Sequence, residues 1–258
     1  MDNGKKIGFV GFGNMAQAIA KGLLKAEQLY ACAAHFEKLK DTADRLGVHP
    51  MQTAQEVVQN SDVVILAVKP YLIEQVVAPL KELLKGKMVV SVAAGFTFAR
   101  YQQLLDESTH HISTIPNTPI AVGEGIMICE QTHSLDEQQW QTFCELFSPI
   151  ALIELVDSAH LSAAGTLGGC TPAFTAMYLE ALSDAGVKYG LTRAASYRIA
   201  AKMLGGTGKL YLESGTHPGA MKDAVCSPGG TTIRGVSALE KAGFRGAVIG
   251  AIDAIEGK

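Results

Sequence analysis

Cysteine is scarce in this 258-residue chain and never paired. Cys32, Cys129, Cys144, Cys170 and Cys226 stand far apart with no C-x-x-C spacing, which excludes a zinc ribbon and a disulfide framework and leaves reduced thiols as the expectation. Cys170 and Cys226, in glycine-rich turns, read as small buried fillers, the alternative being reactive thiols. The seven histidines, His110, His111, His160 and His217 among them, have no ligand spacing, so no metal is expected. An excess of one charge is also missing. Lys and Arg number 22 against 25 Asp and Glu, a net charge of −3, and the basic residues are scattered, which excludes a nucleic-acid footprint. No stretch approaches the ~20 apolar residues that span a bilayer. The apolar run behind Lys5 and Lys6 is short and turns into glycine, which does not read as a signal peptide, so the cytoplasm is the expected location. Repeats, low-complexity tracts and polar linkers are absent, and a continuous, packed chain is expected.

What the chain does have begins at Ile7. Ile7-Gly8-Phe9-Val10 breaks into Gly11-Phe12-Gly13-Asn14-Met15-Ala16 and runs on as an alanine-rich helix: a strand, a tight turn and a helix. Gly11 supplies backbone angles closed to other residues, and Gly13 lacks the side chain that would hold a pyrophosphate away from the first-turn amides. Ala16 lets the helix lie close on the strand. An anion at that helix opening meets unpaired N–H groups and the positive end of the dipole, together worth up to about 2 kcal/mol. The alternative is a glycine turn that merely joins two elements.

Strand and helix then alternate. Tyr30–Ala34 reads as a strand and Glu37–Leu46 as a helix closed by Gly47. Thr53 and Glu56 have capping-box spacing, and Asp62–Val68 is an apolar run suited to a strand buried on both faces. Ile73–Leu84 is expected to be helical up to Gly86, Met88–Val92 a strand, Arg100–Leu105 a helix, and His111–Ile115 extended before the rigid turn Pro116-Asn117-Thr118-Pro119. Gly125–Cys129 continues the sheet, Ser134 with Glu137 predicts a second capping box for a helix reaching Phe147, and Ala151–Leu155 ends the alternating part. The pattern predicts an α/β, doubly wound sheet over residues 1–156.

Beyond Val156 the period becomes helical. Ser158–Leu167, Pro172–Ala185, Arg193–Leu204, Gly208–Ser214, Thr231–Ala242 and Arg245–Ile255 predict an all-helical second domain over residues 157–258. Some of these helices are apolar over most of their circumference, as in Ala247-Val248-Ile249-Gly250-Ala251-Ile252. Such helices need another surface to cover them, so a homodimer through this half is expected.

Ligands of an open parallel sheet lie beyond the carboxyl ends of its strands, where the loops Gly11–Met15, Ala67-Val68-Lys69-Pro70, Ala93-Ala94-Gly95 and the Asn117 turn converge. The helical half has a second glycine-rich opening, Cys226-Ser227-Pro228-Gly229-Gly230-Thr231-Thr232. Its backbone amides at Gly230, Thr231 and Thr232 are expected to be free for a small carboxylate. The plainer reading is that Ser227 or Thr231 caps the helix.

The glycine turn, Ala67–Pro70, Ala93–Gly95, Pro116–Pro119 and Ser227-Pro228-Gly229-Gly230-Thr231-Thr232-Ile233 occur in an order that resembles the pyrroline-5-carboxylate reductase family, over Lys6 to about Ala254. The resemblance implies a Rossmann-type domain followed by a helical dimerisation domain. It implies NADPH or NADH as hydride donor to the C=N bond of 1-pyrroline-5-carboxylate, giving L-proline. Carried over by position, Gly11, Phe12, Gly13, Asn14, Met15, Ala67, Val68, Lys69, Pro70, Ala93, Ala94, Gly95 and Asn117 would hold the cofactor. Ser227, Gly229, Gly230, Thr231 and Thr232 would hold the substrate, with the Thr232 hydroxyl on its ring nitrogen. The chain departs from the family pattern at Gly168-Gly169-Cys170-Thr171, where Thr171 replaces a glycine and is expected to crowd a tight turn, and at Ser158, Gly165 and Ser113. Neither an acidic residue nor an arginine follows the second strand directly (Ala33-Ala34-His35-Phe36-Glu37-Lys38); the reading leans to NADPH, with His35 and Lys38 as candidates for its 2′-phosphate, and the alternative is a solvated surface turn. The alternatives are a related imine or hydroxyacid reductase of the same plan, or a nucleotide-binding paralogue without catalysis.

Overall fold

The computed structural model describes residues 4–23 and 28–257. The chain divides into two compact units, Met1–Gly169 and Cys170–Lys258. In the first, β1 (Lys6–Val10), α1 (Asn14–Leu23), β2 (Gln28–Cys32), α2 (Phe36–Leu46), β3 (His49–Pro50), α3 (Ala54–Gln59), β4 (Val63–Leu66), α4 (Ile73–Val77) and β5 (Met88–Ser91) follow one another. Next come α5 (Phe98–Leu104), β6 (His110–Pro116), β7 (Gly125–Glu130), α6 (Glu137–Phe147), β8 (Ala151–Val156) and α7 (Leu161–Gly165). The strands form one sheet in the order β3-β2-β1-β4-β5-β6-β7-β8.

Side chains that alternate along a strand enter opposite faces. Val63 and Ile65 of β4 join Ile7, Phe9, Met88 and Val90 in one core, while Val64 and Leu66 join Val10 and Val89 in another. Helices therefore cover both faces, which is why these strands are apolar without alternation. Gly8 lets α3 lie against β1, since a Cβ there would fall 2.5 Å from Val57 Cγ1. Pairing is parallel from β3 to β6. β7 runs antiparallel to β6, because the connection over residues 117–124 is too short for a parallel crossover. The doubly wound α/β fold is as expected, with that one antiparallel step added.

Several elements differ from expectation for local reasons. β2 ends at Cys32 rather than Ala34, in register with Val10 of β1. The predicted helix from Ile73 keeps α-geometry only to Val77, then tightens over Ala78–Leu80, because Pro79 has no N–H to give. The second capping box belongs to Asp136 and Gln139, not to Ser134 and Glu137: Gln139 N–H donates to Asp136 Oδ1 at 2.8 Å. Ser134 is taken by the sheet, its Oγ accepting the His111 N–H at 2.8 Å. The Thr53–Glu56 capping box is present as expected.

The second unit consists of α8 (Thr171–Lys188), α9 (Arg193–Ser214), α10 (Pro218–Ala224), α11 (Thr231–Lys241) and α12 (Phe244–Glu256). Thr171 opens α8 rather than crowding a tight turn, and α9 runs unbroken through Gly205, Gly206 and Gly208. Helix α10 had no counterpart among the expected elements. Helix α7, read as part of the helical half, packs on β7 and clusters with the sheet. Among the described residues of the second unit only Ser183, Ser196 and Ala200 are buried, while Ile199, Leu212 and Ile249 are each more than 60 % exposed. All five cysteines are free; Cys170 is exposed and Cys226 half-buried, neither a buried filler. Among the described residues no helix is long and apolar enough to cross a membrane, and no cluster of three His, Cys, Asp or Glu could hold a metal ion.

Candidate active site

The chain reverses direction across the sheet between β1 and β4, where a crevice opens beyond the strand ends, as expected for this topology. Gly11 sits at its floor with φ +91°, its N–H donating to the Cys32 carbonyl at 3.1 Å. A Cβ on Gly11 would fall 2.7 Å from the Ala67 carbonyl oxygen, so the turn needs glycine both for its angle and for its clearance. Gly13 is different. A Cβ there would meet nothing within 4 Å, which leaves open space in front of α1. The amides of Asn14 and Met15 have no acceptor among the described residues, as first-turn donors do not. A pyrophosphate fits this cradle. Phe12 contributes backbone to the crevice, while its ring is buried edge-on against Phe9 at 5.6 Å.

The crevice holds about 860 Å³ and is lined by Gly11 to Met15, Ala67 to Pro70, Ala93 and Ala94, within the usual size of a cofactor site. Two expected members stand outside that lining. Gly95, at a left-handed φ of +75°, is not among the residues that line it, and the Asn117 side chain is spent on the fold: Nδ2 donates to the Gly168 carbonyl and Oδ1 accepts the Ile126 N–H, both at 3.0 Å. Its neighbour Thr118 takes the place at the crevice. Sequence reasoning missed Gln17, Thr42 and Arg45, which also line it. The helical spacing of residues 38, 42 and 45 was the available signal. Beside the floor, burial pushes the Cys32 thiol up from its ordinary pKa, which keeps it protonated and unreactive.

In the second unit, Gly229 at φ +70° turns the chain into α11, whose N-cap is Gly230. Gly230 N–H donates to the Ser227 carbonyl at 3.0 Å, so the expectation that it is free is corrected. The Thr231 and Thr232 amides have no acceptor among the described residues. No side chain caps α11, so the capping roles considered for Ser227 and Thr231 are absent. The opening is a pair of unspent donors at a helix N-terminus with two exposed hydroxyl residues beside them.

Fold and crevice together define a dinucleotide-binding protein of the doubly wound α/β class. Residues 158–258 match the family described as pyrroline-5-carboxylate reductase dimerisation, and residues 6–95 match NADP oxidoreductase, coenzyme F420-dependent. A pyrroline-5-carboxylate reductase from Treponema pallidum is 44 % identical over 257 residues, covering 96 % of this chain and 97 % of the relative. One from Escherichia coli is 36 % identical, covering 96 % and 94 %. A solved Plasmodium falciparum pyrroline carboxylate reductase with NADP bound superposes with a TM-score of 0.86 at 27 % identity, covering 99 % of this chain and 96 % of that one. The chain belongs to the pyrroline-5-carboxylate reductase family.

Proposed function

We propose that this protein reduces 1-pyrroline-5-carboxylate to L-proline with a nicotinamide cofactor, NADPH in preference to NADH, as the last step of proline synthesis. Family membership along almost the whole chain supports the reaction. The observation that carries it to particular residues is the uncapped opening of α11, where a small carboxylate would satisfy the Thr231 and Thr232 amides.

The nicotinamide supplies a hydride to the C=N carbon. The chain's part is to bind and orient. The cradle at Gly11, Gly13, Asn14 and Met15 would hold the pyrophosphate, and Ala67 to Pro70 with Ala93 and Ala94 would line the rest of the cofactor. Ser227, Gly229, Gly230, Thr231 and Thr232 would seat the substrate, with the Thr232 hydroxyl held against the ring nitrogen. A protonated imine nitrogen makes its carbon a strong acceptor, so the site needs an oriented hydroxyl and a carboxylate seat rather than a nucleophile. Holding two reactants in place removes ~7–11 kcal/mol of encounter entropy from the barrier.

The same reading assigns dinucleotide binding to residues 1–156, and substrate binding and homodimer formation to residues 157–258. The exposed apolar side chains of α9 and α12 and the dimerisation match support the homodimer. Five free thiols suit the reducing cytoplasm.

The test is a steady-state assay of NADPH and NADH oxidation with 1-pyrroline-5-carboxylate and with a six-membered cyclic imine. Turnover of the five-membered substrate is expected. Oxidation with the larger ring alone would move the protein to another imine reductase activity, and tight nucleotide binding without turnover of either would make it a non-catalytic paralogue.

A further inference from the structure

One end of the dinucleotide crevice is built from a face of α2. Lys38, Thr42 and Arg45 recur there at i, i+4 and i+7, and all three line the crevice. Their side chains and backbone form a ladder. Thr42 Oγ1 donates to the Lys38 carbonyl at 3.1 Å, Arg45 Nη2 donates to Thr42 Oγ1 at 3.4 Å, and Arg45 Nε donates to the Asp41 carbonyl at 3.2 Å. Arg45 thus lies back toward the N-terminus of α2 over the turn that holds Thr42, the direction in which helical side chains lean. Thr42 is 8 % exposed, so the guanidinium rests on a fixed support.

Charge is one-sided here. The crevice lining includes Lys38, Arg45 and Lys69 and not one Asp or Glu. Among the described residues, neither Lys38 nor Arg45 has a carboxylate within ion-pair distance. The acidic residues of this stretch, Glu37, Asp41 and Asp44, lie outside the lining. The place matters as well: just past the end of β2, an NAD-type site carries an acidic side chain for the ribose 2′-hydroxyl. Here Ala33, Ala34 and His35 occupy that stretch of the crevice.

We propose that Lys38, Thr42 and Arg45 form a seat for an adenosine 2′-phosphate, and that Arg45 is the residue that sets the preference for the phosphorylated dinucleotide. The seat rests on the reading of the crevice as the dinucleotide site. Arg45 keeps a forked set of donors beyond those given to Thr42 and Asp41, which suits a phosphate oxygen pair, and Lys38, about two turns nearer the N-terminus of α2, adds a point charge.

Titration calorimetry of the full chain with adenosine 2′,5′-bisphosphate and with 5′-AMP tests this, because the two ligands differ only in the 2′-phosphate. The parent is expected to bind the bisphosphate about tenfold more tightly, as charge-assisted hydrogen bonds of ordinary strength give. Arg45→Gln and Lys38→Gln should each lower that ratio several-fold, the pair together should bring it close to one, and Arg45→Lys should restore part of it. Lys40→Gln, on α2 but outside the lining, should keep the parental ratio. A ratio near one in the parent, or a parental ratio in the Lys38→Gln/Arg45→Gln pair, overturns the seat while leaving the crevice intact. Failure of the parent to bind either nucleotide overturns the crevice reading itself, and the seat with it. These substitutions are at the surface, and a parental melting temperature in each variant keeps a change in ratio from being a folding defect.

Discussion

Asn117 holds Gly168 across fifty-one positions of sequence: its Nδ2 donates to the Gly168 carbonyl at 3.0 Å, while its Oδ1 takes the Ile126 N–H at 3.0 Å. One side chain thus ties the end of β6, the start of β7 and the π-helical segment Thr166–Cys170. Helices with that wide turn cluster at functional sites, and this one is secured by a residue that the sequence placed in the cofactor set.

Asn117→Ala should therefore act mainly on stability. Two half-buried backbone groups lose their partners, at about 1–3 kcal/mol. Urea denaturation at fixed protein concentration should show that loss together with a smaller change in nucleotide affinity. Wild-type stability with abolished nucleotide binding would put Asn117 back among the cofactor ligands.

Gly11 and Gly13, two positions apart, should respond oppositely to substitution. Gly11→Ala forces a Cβ against the Ala67 carbonyl at a left-handed φ, a strain of about 1–3 kcal/mol visible as a lower melting temperature. A Cβ at Gly13 would meet nothing within 4 Å, so Gly13→Val should melt like the parent, yet bind dinucleotide on the order of tenfold or more weakly, since it fills the pyrophosphate space. If Gly13→Val binds normally, the turn does not hold the cofactor.

Much of this was legible in the sequence because local and tertiary signals agree. The Ile7–Ala16 run, the apolar strands β4 and β5 and the Thr53–Glu56 box each carry their meaning within a few residues. Where two local patterns competed, only packing decided. Ser134-x-x-Glu137 and Asp136-x-x-Gln139 are equivalent on paper, and the His111 N–H claims the serine. The glycines of α9 suggested a break, but without proline nothing removes the helical hydrogen bonds, and each costs only about 1 kcal/mol. Arg45 was hidden for another reason. Its relation to the crevice comes through a helix face and a side chain leaning backward, and neither shows in the residues next to β2.

Stability should fall with pH below about neutrality, and His111 should be one cause. Buried and stacked on Phe98 at 4.4 Å, His111 is held below its ordinary pKa of 6.5, chiefly by burial; burial also lowers that of His133, which stacks on Trp140. The unfolded chain then takes up protons first. The contribution is complete above pH 6.5 and is lost as pH drops through the window between 6.5 and the lower folded values, with a slope of at most about 1.4 kcal/mol per pH unit for each histidine. Unfolding free energies measured from pH 8 to 5 should show this slope, reduced in His111→Phe. An equal slope in parent and variant would remove His111 from the account.

Thr232→Ala should lower turnover on the order of 10²-fold and leave dinucleotide affinity close to that of the parent, because the hydroxyl is assigned to the substrate. Thr232→Ser should recover much of the rate. Parental turnover in the alanine variant would exclude the hydroxyl from the reaction.

The most direct measurement follows the transferred hydrogen. With NADPH carrying deuterium at both C4 positions and unlabelled 1-pyrroline-5-carboxylate, the product should be L-proline one mass unit heavier, with the label on the ring carbon that had been double-bonded to nitrogen. Unlabelled proline, or oxidised cofactor with no proline, would contradict direct transfer from nicotinamide to imine.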